Sequence, residues 1–123
     1  MKNISEDFSI IDKELTIDGK VSTNGRLIVK GILRGTVIGK NVVIAEEGSV
    51  YANAKVGSIT IGGTFEGEIR ALKELILLST GNCTGKVFCK DLVIETGGIL
   101  NAQVTCLSTK DSDPEIQNKE TLL

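Results

Sequence analysis

Three thiols and one pair of carboxylates are the side chains in this sequence that invite a chemical reading. Cys83, Cys89 and Cys106 could hold a soft metal or exchange disulfides, and Glu66 and Glu68 could divide acid and base roles between them. The spacing argues against both. The three cysteines are an odd number at no zinc-ligand spacing, which suits small buried hydrophobes in a reducing compartment. Glu66 and Glu68 straddle Gly67 in an alternating stretch, so both face outward from a strand into solvent. The 123 residues contain no His, which removes Ser-His-Asp and Cys-His nucleophiles and His-ligated zinc. No phosphate-cradling GxxxxGK[ST] or GxGxxG-helix motif occurs. With 14 basic and 16 acidic residues the net charge is −2, and the basic excess of a nucleic-acid binder is missing. No catalytic, cofactor-binding or metal residue is expected, and no enzyme.

The elements that carry these residues form an internal repeat. Segments beginning at Leu15, Leu27, Val42, Ser58, Leu75 and Leu92 each offer an apolar-x-apolar pair and then a Gly. The pairs are Leu15/Ile17, Leu27/Val29, Val42/Ile44, Ile59/Ile61, Leu75/Leu77 and Leu92/Ile94. The aligned glycines are Gly19, Gly31, Gly48, Gly63, Gly81 and Gly98. Two residues after each Gly stands Val21, Leu33, Val50, Phe65, Cys83 or Leu100, and two further on a small residue, Thr23, Gly35, Ala52, Gly67, Gly85 or Ala102. From the second repeat an aliphatic or Ala follows: Val37, Ala54, Ile69, Val87, Val104. This period of two marks strands with one buried face, and no helical stripe runs through residues 15–106.

A repeat of about 17 residues is too short for a propeller blade or a helical pair. It fits one coil of a parallel β-solenoid with small residues at its corners. An antiparallel sandwich or barrel is the competing architecture. It leaves the three-part recurrence unexplained, and the hairpin dipeptides NG and DG occur once each, at Asn24-Gly25 and Asp18-Gly19. A narrow interior filled by stacked aliphatics also explains an aromatic content of 3%.

Residues 1–14 and 107–123 lie outside the repeat and are expected to be flexible, disordered tails around a domain at 15–106. In the first, Ser5 could cap a helical turn, and Ile4, Phe8 and Ile11 would then share a face able to touch a membrane or a partner. The start of the sequence has no apolar signal core, so a cytoplasmic location is expected.

Solenoid ends expose backbone N–H and C=O groups, and neither tail offers an evident cap. The terminal coils carry Leu15, Ile17 and Val21 at one end and Leu92, Ile94, Leu100 and Val104 at the other. End-to-end stacking through these residues is the expected activity. The runs LTIDGKVSTNGRLIVKGILRGTVIG, VVIAEEGSVYANA, ITIGGTFEGEI, LILLSTGNCTGKV and LVIETGGILNA resemble, in order, the bactofilin domain over about residues 10–106. That resemblance implies a right-handed parallel β-helix of about six triangular coils. It also implies nucleotide-independent, non-polar cytoskeletal filaments serving cell shape or cell-wall organisation, at the inner face of the cytoplasmic membrane. The partners it implies are copies of the chain itself, cell-wall enzymes and inner-membrane proteins. Membrane-binding relatives often have a hydrophobic or basic leader, and MKNISEDFSII is neither. The alternative reading is a non-polymerising solenoid that recruits a cell-wall enzyme or another partner.

Overall fold

Period-two alternation does form strands, and they stack in parallel. The computed structural model describes residues 8–106 as eight strands. These are β1 (Phe8–Ile11), β2 (Thr16–Ser22), β3 (Arg26–Val29), β4 (Ile32–Ile44), β5 (Ser49–Ile61), β6 (Thr64–Leu77), β7 (Asn82–Ile94) and β8 (Ile99–Cys106). Every pairing is parallel, in the order β1-β3-β4-β5-β6-β7-β8, with β2 alongside β4. No described residue is helical. The long strands β4 to β7 each round a corner and begin the next coil, giving a β-solenoid of about six coils.

Parallel register stacks equivalent residues into inward columns. One runs Ile11, Val29, Ile44, Ile61, Leu77, Ile94; another runs Ile17, Leu33, Val50, Phe65, Cys83, Leu100; a third runs Val21, Val37, Ala54, Ile69, Val87, Val104. The middle members of each column are buried and form one core. Each fully buried aliphatic contributes roughly 1.5–3 kcal/mol relative to exposure. On the outside, Arg70 lies over the Phe88 ring of the next coil at 4.9 Å, a cation–π contact that ties adjacent coils.

Two glycine columns let the coils approach. At the first, Gly35, Gly67 and Gly85 have φ of 126°, 135° and 127°, a backbone that side chains resist, and a Cβ on any of them would collide with the carbonyl of the coil beneath. The second closes the turns. A Cβ at Gly48 would run into the Val29 carbonyl oxygen, and one at Gly81 into that of Ile61.

The turns also explain the uneven repeat lengths. Ala45–Gly48, Leu78–Gly81 and Glu95–Gly98 are four-residue turns, closed by a bond from the Gly N–H to the first carbonyl at 2.8 to 2.9 Å. Lys30-Gly31 and Gly62-Gly63 make the same connection with two residues. Neighbouring strands are therefore offset by as few as 15 residues where the turn is short and by 17 or 18 where it is long.

The first repeat departs from the sequence reading. Ile17 pairs with Leu33, Gly19 with Gly35 and Val21 with Val37, so Gly19 belongs to the corner column and not to the turn column. The turn position is held by Leu15, whose N–H donates to the Asp12 carbonyl at 2.9 Å as Gly48 does to Ala45. The first coil therefore includes β1, and the folded unit extends below residue 15. Phe8–Ile11 is a strand, not a helical turn. Of the tails expected at residues 1–14 and 107–123, residues 1–7 and 107–123 lie outside the described residues.

Candidate functional site

The first and last coils are where pairing stops. β1 pairs only with β3 and β2 only with β4, so their lower edges carry unpaired backbone groups among the described residues. At the other end, among the described residues, β8 pairs only with β7, and the Asp91–Ile94 half of β7 has a partner only beneath it. Open parallel edges of this kind are templates for another chain.

Burial changes along the inward columns at the same places. Leu77 is 0% exposed, and Ile94, one coil above it, is 44% exposed. Val87 is buried under an exposed Val104, and Cys83 under a half-buried Leu100. Leu92 is half-buried above a buried Leu75. At the lower end Ile17 and Val21 are half-buried, while Leu33 and Val37 above them are buried. Six of the seven residues expected at the ends thus occupy terminal rungs of inward columns. Leu15 does not. It is exposed in the Asp12–Leu15 turn, displaced from the column because the first repeat is aligned four residues differently.

Two further apolar members of the upper end, Ile99 and Ala102, are not among the residues expected there. Ile99 is exposed at the start of β8, on the outward side where the columns below have Asn82 and Thr64. Ala102 packs half-buried above Gly85. Knowing that β8 is the last coil would have exposed both.

Of the residues expected to touch a membrane or a partner, Ile11 is buried at the base of the first inward column. It closes the core from below and is not available to a lipid surface. Phe8 lies in β1, and Ile4 lies outside the described residues. No helix among the described residues is long and apolar enough to cross a membrane.

The residues with chemical potential are dispersed. Burial pushes the Cys83 thiol up to about 11. The Cys89 thiol is also pushed up to about 11, by burial first and then by Cys106 and Asp91. Such thiols stay protonated and unreactive at neutral pH. Cys89 and Cys106 are register partners in adjacent coils, and Cys106 is exposed. Among the described residues no group of three or more Cys, Asp and Glu could hold a metal ion. Glu66 and Glu68 sit on an outer face either side of Gly67.

A stack of coils that is uncapped among the described residues, with apolar rungs at both ends, is the arrangement a polymer subunit needs, and the sequence comparison gives the same class. The chain matches the Bactofilin family model, described as polymer-forming cytoskeletal, over residues 9–105. It belongs to the bactofilin family. No curated protein and no solved structure matches it. The family match begins inside β1 and ends in β8, so this bactofilin domain takes in the whole stack of coils, including the first coil that begins before residue 15.

Proposed function

We propose that this bactofilin assembles into nucleotide-independent filaments by joining the open ends of its solenoid, like end to like end. The observation that carries the reading is the rise in exposure at the upper rung of each inward column and at Ile17 and Val21 below, together with the strand edges that are unpaired among the described residues. Joining two such ends buries Ile94, Leu100 and Val104 against their counterparts.

Leu15 supports this polarity. In a head-to-tail polymer the last coil of one chain would lie beneath the first coil of the next. Leu15 holds the position of Gly31 and Gly48, where a Cβ collides with carbonyls of the coil beneath. Its side chain therefore obstructs a head-to-tail continuation of the stack, and two-fold joints remain. The filaments serve as a scaffold for cell shape or cell-wall organisation at the inner face of the cytoplasmic membrane, with cell-wall enzymes and inner-membrane proteins as partners.

Electron microscopy and sedimentation of the purified chain test this. Wild type should form filaments, and Ile94→Arg or Leu100→Arg should sediment as a monomer or a single-joint dimer with an unchanged β circular-dichroism spectrum. A wild-type chain that stays monomeric at tens of micromolar would sink the reading. Survival of the cellular phenotype in an unpolymerised variant would favour a recruiting module.

A further inference from the structure

One outer face of the rod carries an apolar column that the ends do not account for. Register aligns Ile10, Ile28, Val43, Thr60, Ile76 and Val93, one per coil. Ile10 and Val93 are 47% and 49% exposed, and the four between them are half-buried. A strand face turned to water ordinarily carries polar residues, and here five of six positions are β-branched aliphatics.

We infer that this face is a lateral contact with a second copy of the chain running in the opposite direction. The charges beside the stripe select the partner and its direction. The neighbouring outward column reads Arg26, Asn41, Ser58, Glu74, Asp91, basic low on the rod and acidic high. On the other side stand Asp12, Lys30, Ala45, Gly62, Leu78 and Glu95. Facing two copies with opposed directions sets Arg26 against Glu74, Ile28 against Ile76 and Val43 against Thr60. The corner lysines Lys40 and Lys73 then face Gly57 and Gly25, and the one kind of like-charge pair to meet is Asp12 with Glu95, at the ends of the stripe. Facing two copies in the same direction sets Arg26 against Lys30 and Asp91 against Glu95, two repulsive pairs.

Area decides when the contact forms. Six coils at about 4.8 Å and a four-residue face at about 3.3 Å per residue give roughly 350 Å² per chain. That is below the about 800 Å² per partner of a stable complex. Two single chains pair too weakly to persist, but filaments that keep this face on one side add one patch per subunit and gain by multivalency. The inference therefore rests on end-to-end assembly.

Negative-stain microscopy of full-length filaments, with measured widths, tests it. Wild type should show paired filaments. Arg26→Glu and, separately, Glu74→Arg should halve the width while leaving filament length and the melting curve unchanged. The double variant Arg26→Glu/Glu74→Arg should restore the pairs. Wild-type filaments that are single, or pairs that persist in both single variants, overturn the lateral contact and leave the end-to-end reading standing. Absence of filaments overturns both. Single filaments that bind neutral phosphatidylcholine vesicles, and lose them on Ile28→Glu, overturn it in favour of a lipid surface.

Discussion

Leu15 and Gly31 hold the same turn position in successive coils, and a Cβ added to Gly31 would run into the carbonyl oxygen of Leu15. The difference between the two residues is what lies beneath them. Gly31 has a coil below it, and Leu15 has none among the described residues.

Stability should divide accordingly. Gly31→Ala forces the first two coils apart and should cost at least ~2 kcal/mol, on the scale of core overpacking. Leu15→Ala should change stability by less than ~0.5 kcal/mol, as exposed substitutions do. Chemical denaturation of both variants, under conditions where the protein is unpolymerised, checks the contrast.

The centre and end of one column should respond differently to truncation. Phe65 is fully buried in the column that ends at Leu100. Phe65→Ala should destabilise the monomer by about 3–5 kcal/mol. Leu100→Ala should cost the monomer well under half of that and should raise the concentration at which filaments appear. Thermal melts report the first effect, and pelleting against protein concentration reports the second.

Thiol chemistry should see one cysteine per chain. Cys83 and Cys89 are buried and Cys106 is exposed. Iodoacetamide at pH 8 should add one label to the folded, unpolymerised chain and three in denaturant, counted by mass spectrometry. The same burial makes stability pH-dependent. A thiol whose folded pKa is raised from 9.0 to about 11 stabilises the fold fully below pH 9, and that contribution is lost as pH climbs toward 11. Cys83→Ala/Cys89→Ala should flatten the decline between pH 9 and 11.

A local irregularity gives a fourth test. Leu72 and Lys73 together oppose the single residues Gly57 below and Lys90 above, a bulge between the pairs Ala71–Cys89 and Glu74–Asp91. Leu72 projects into solvent. Deleting Leu72 should restore an even corner without shifting register on either side, and the melting temperature should move by less than about 5 °C. A large loss of stability would show that the bulge anchors the corner.

The repeat made most of this fold legible, because stacked columns impose the same residue type at the same place in each coil. Coils two to six could be aligned from Gly31, Gly48, Gly63, Gly81 and Gly98, where close approach to the coil below demands Gly. The first coil could not. With no coil beneath it Leu15 is tolerated, the marker disappears, and Gly19 attracts the alignment instead. Ile11 was misplaced for the same reason, since its column had no recognised start. The upper end of the stack was readable as the last apolar pairs, Leu92/Ile94 and Leu100/Val104. The outward stripe was not, because Ile28, Val43 and Ile76 alternate with core residues and look in sequence like more core.

Every strand pairing in the stack spans between 15 and 18 residues of chain. Folding therefore closes one small loop after another, and each completed coil presents the edge on which the next condenses. Among the described residues the last coil leaves that edge unpaired. In the proposed filament that edge meets its own counterpart across a two-fold joint, so a contact made within the chain by loop closure is replaced by one that depends on concentration. A substitution that loosens the last coil within the chain should therefore weaken the joint between chains as well.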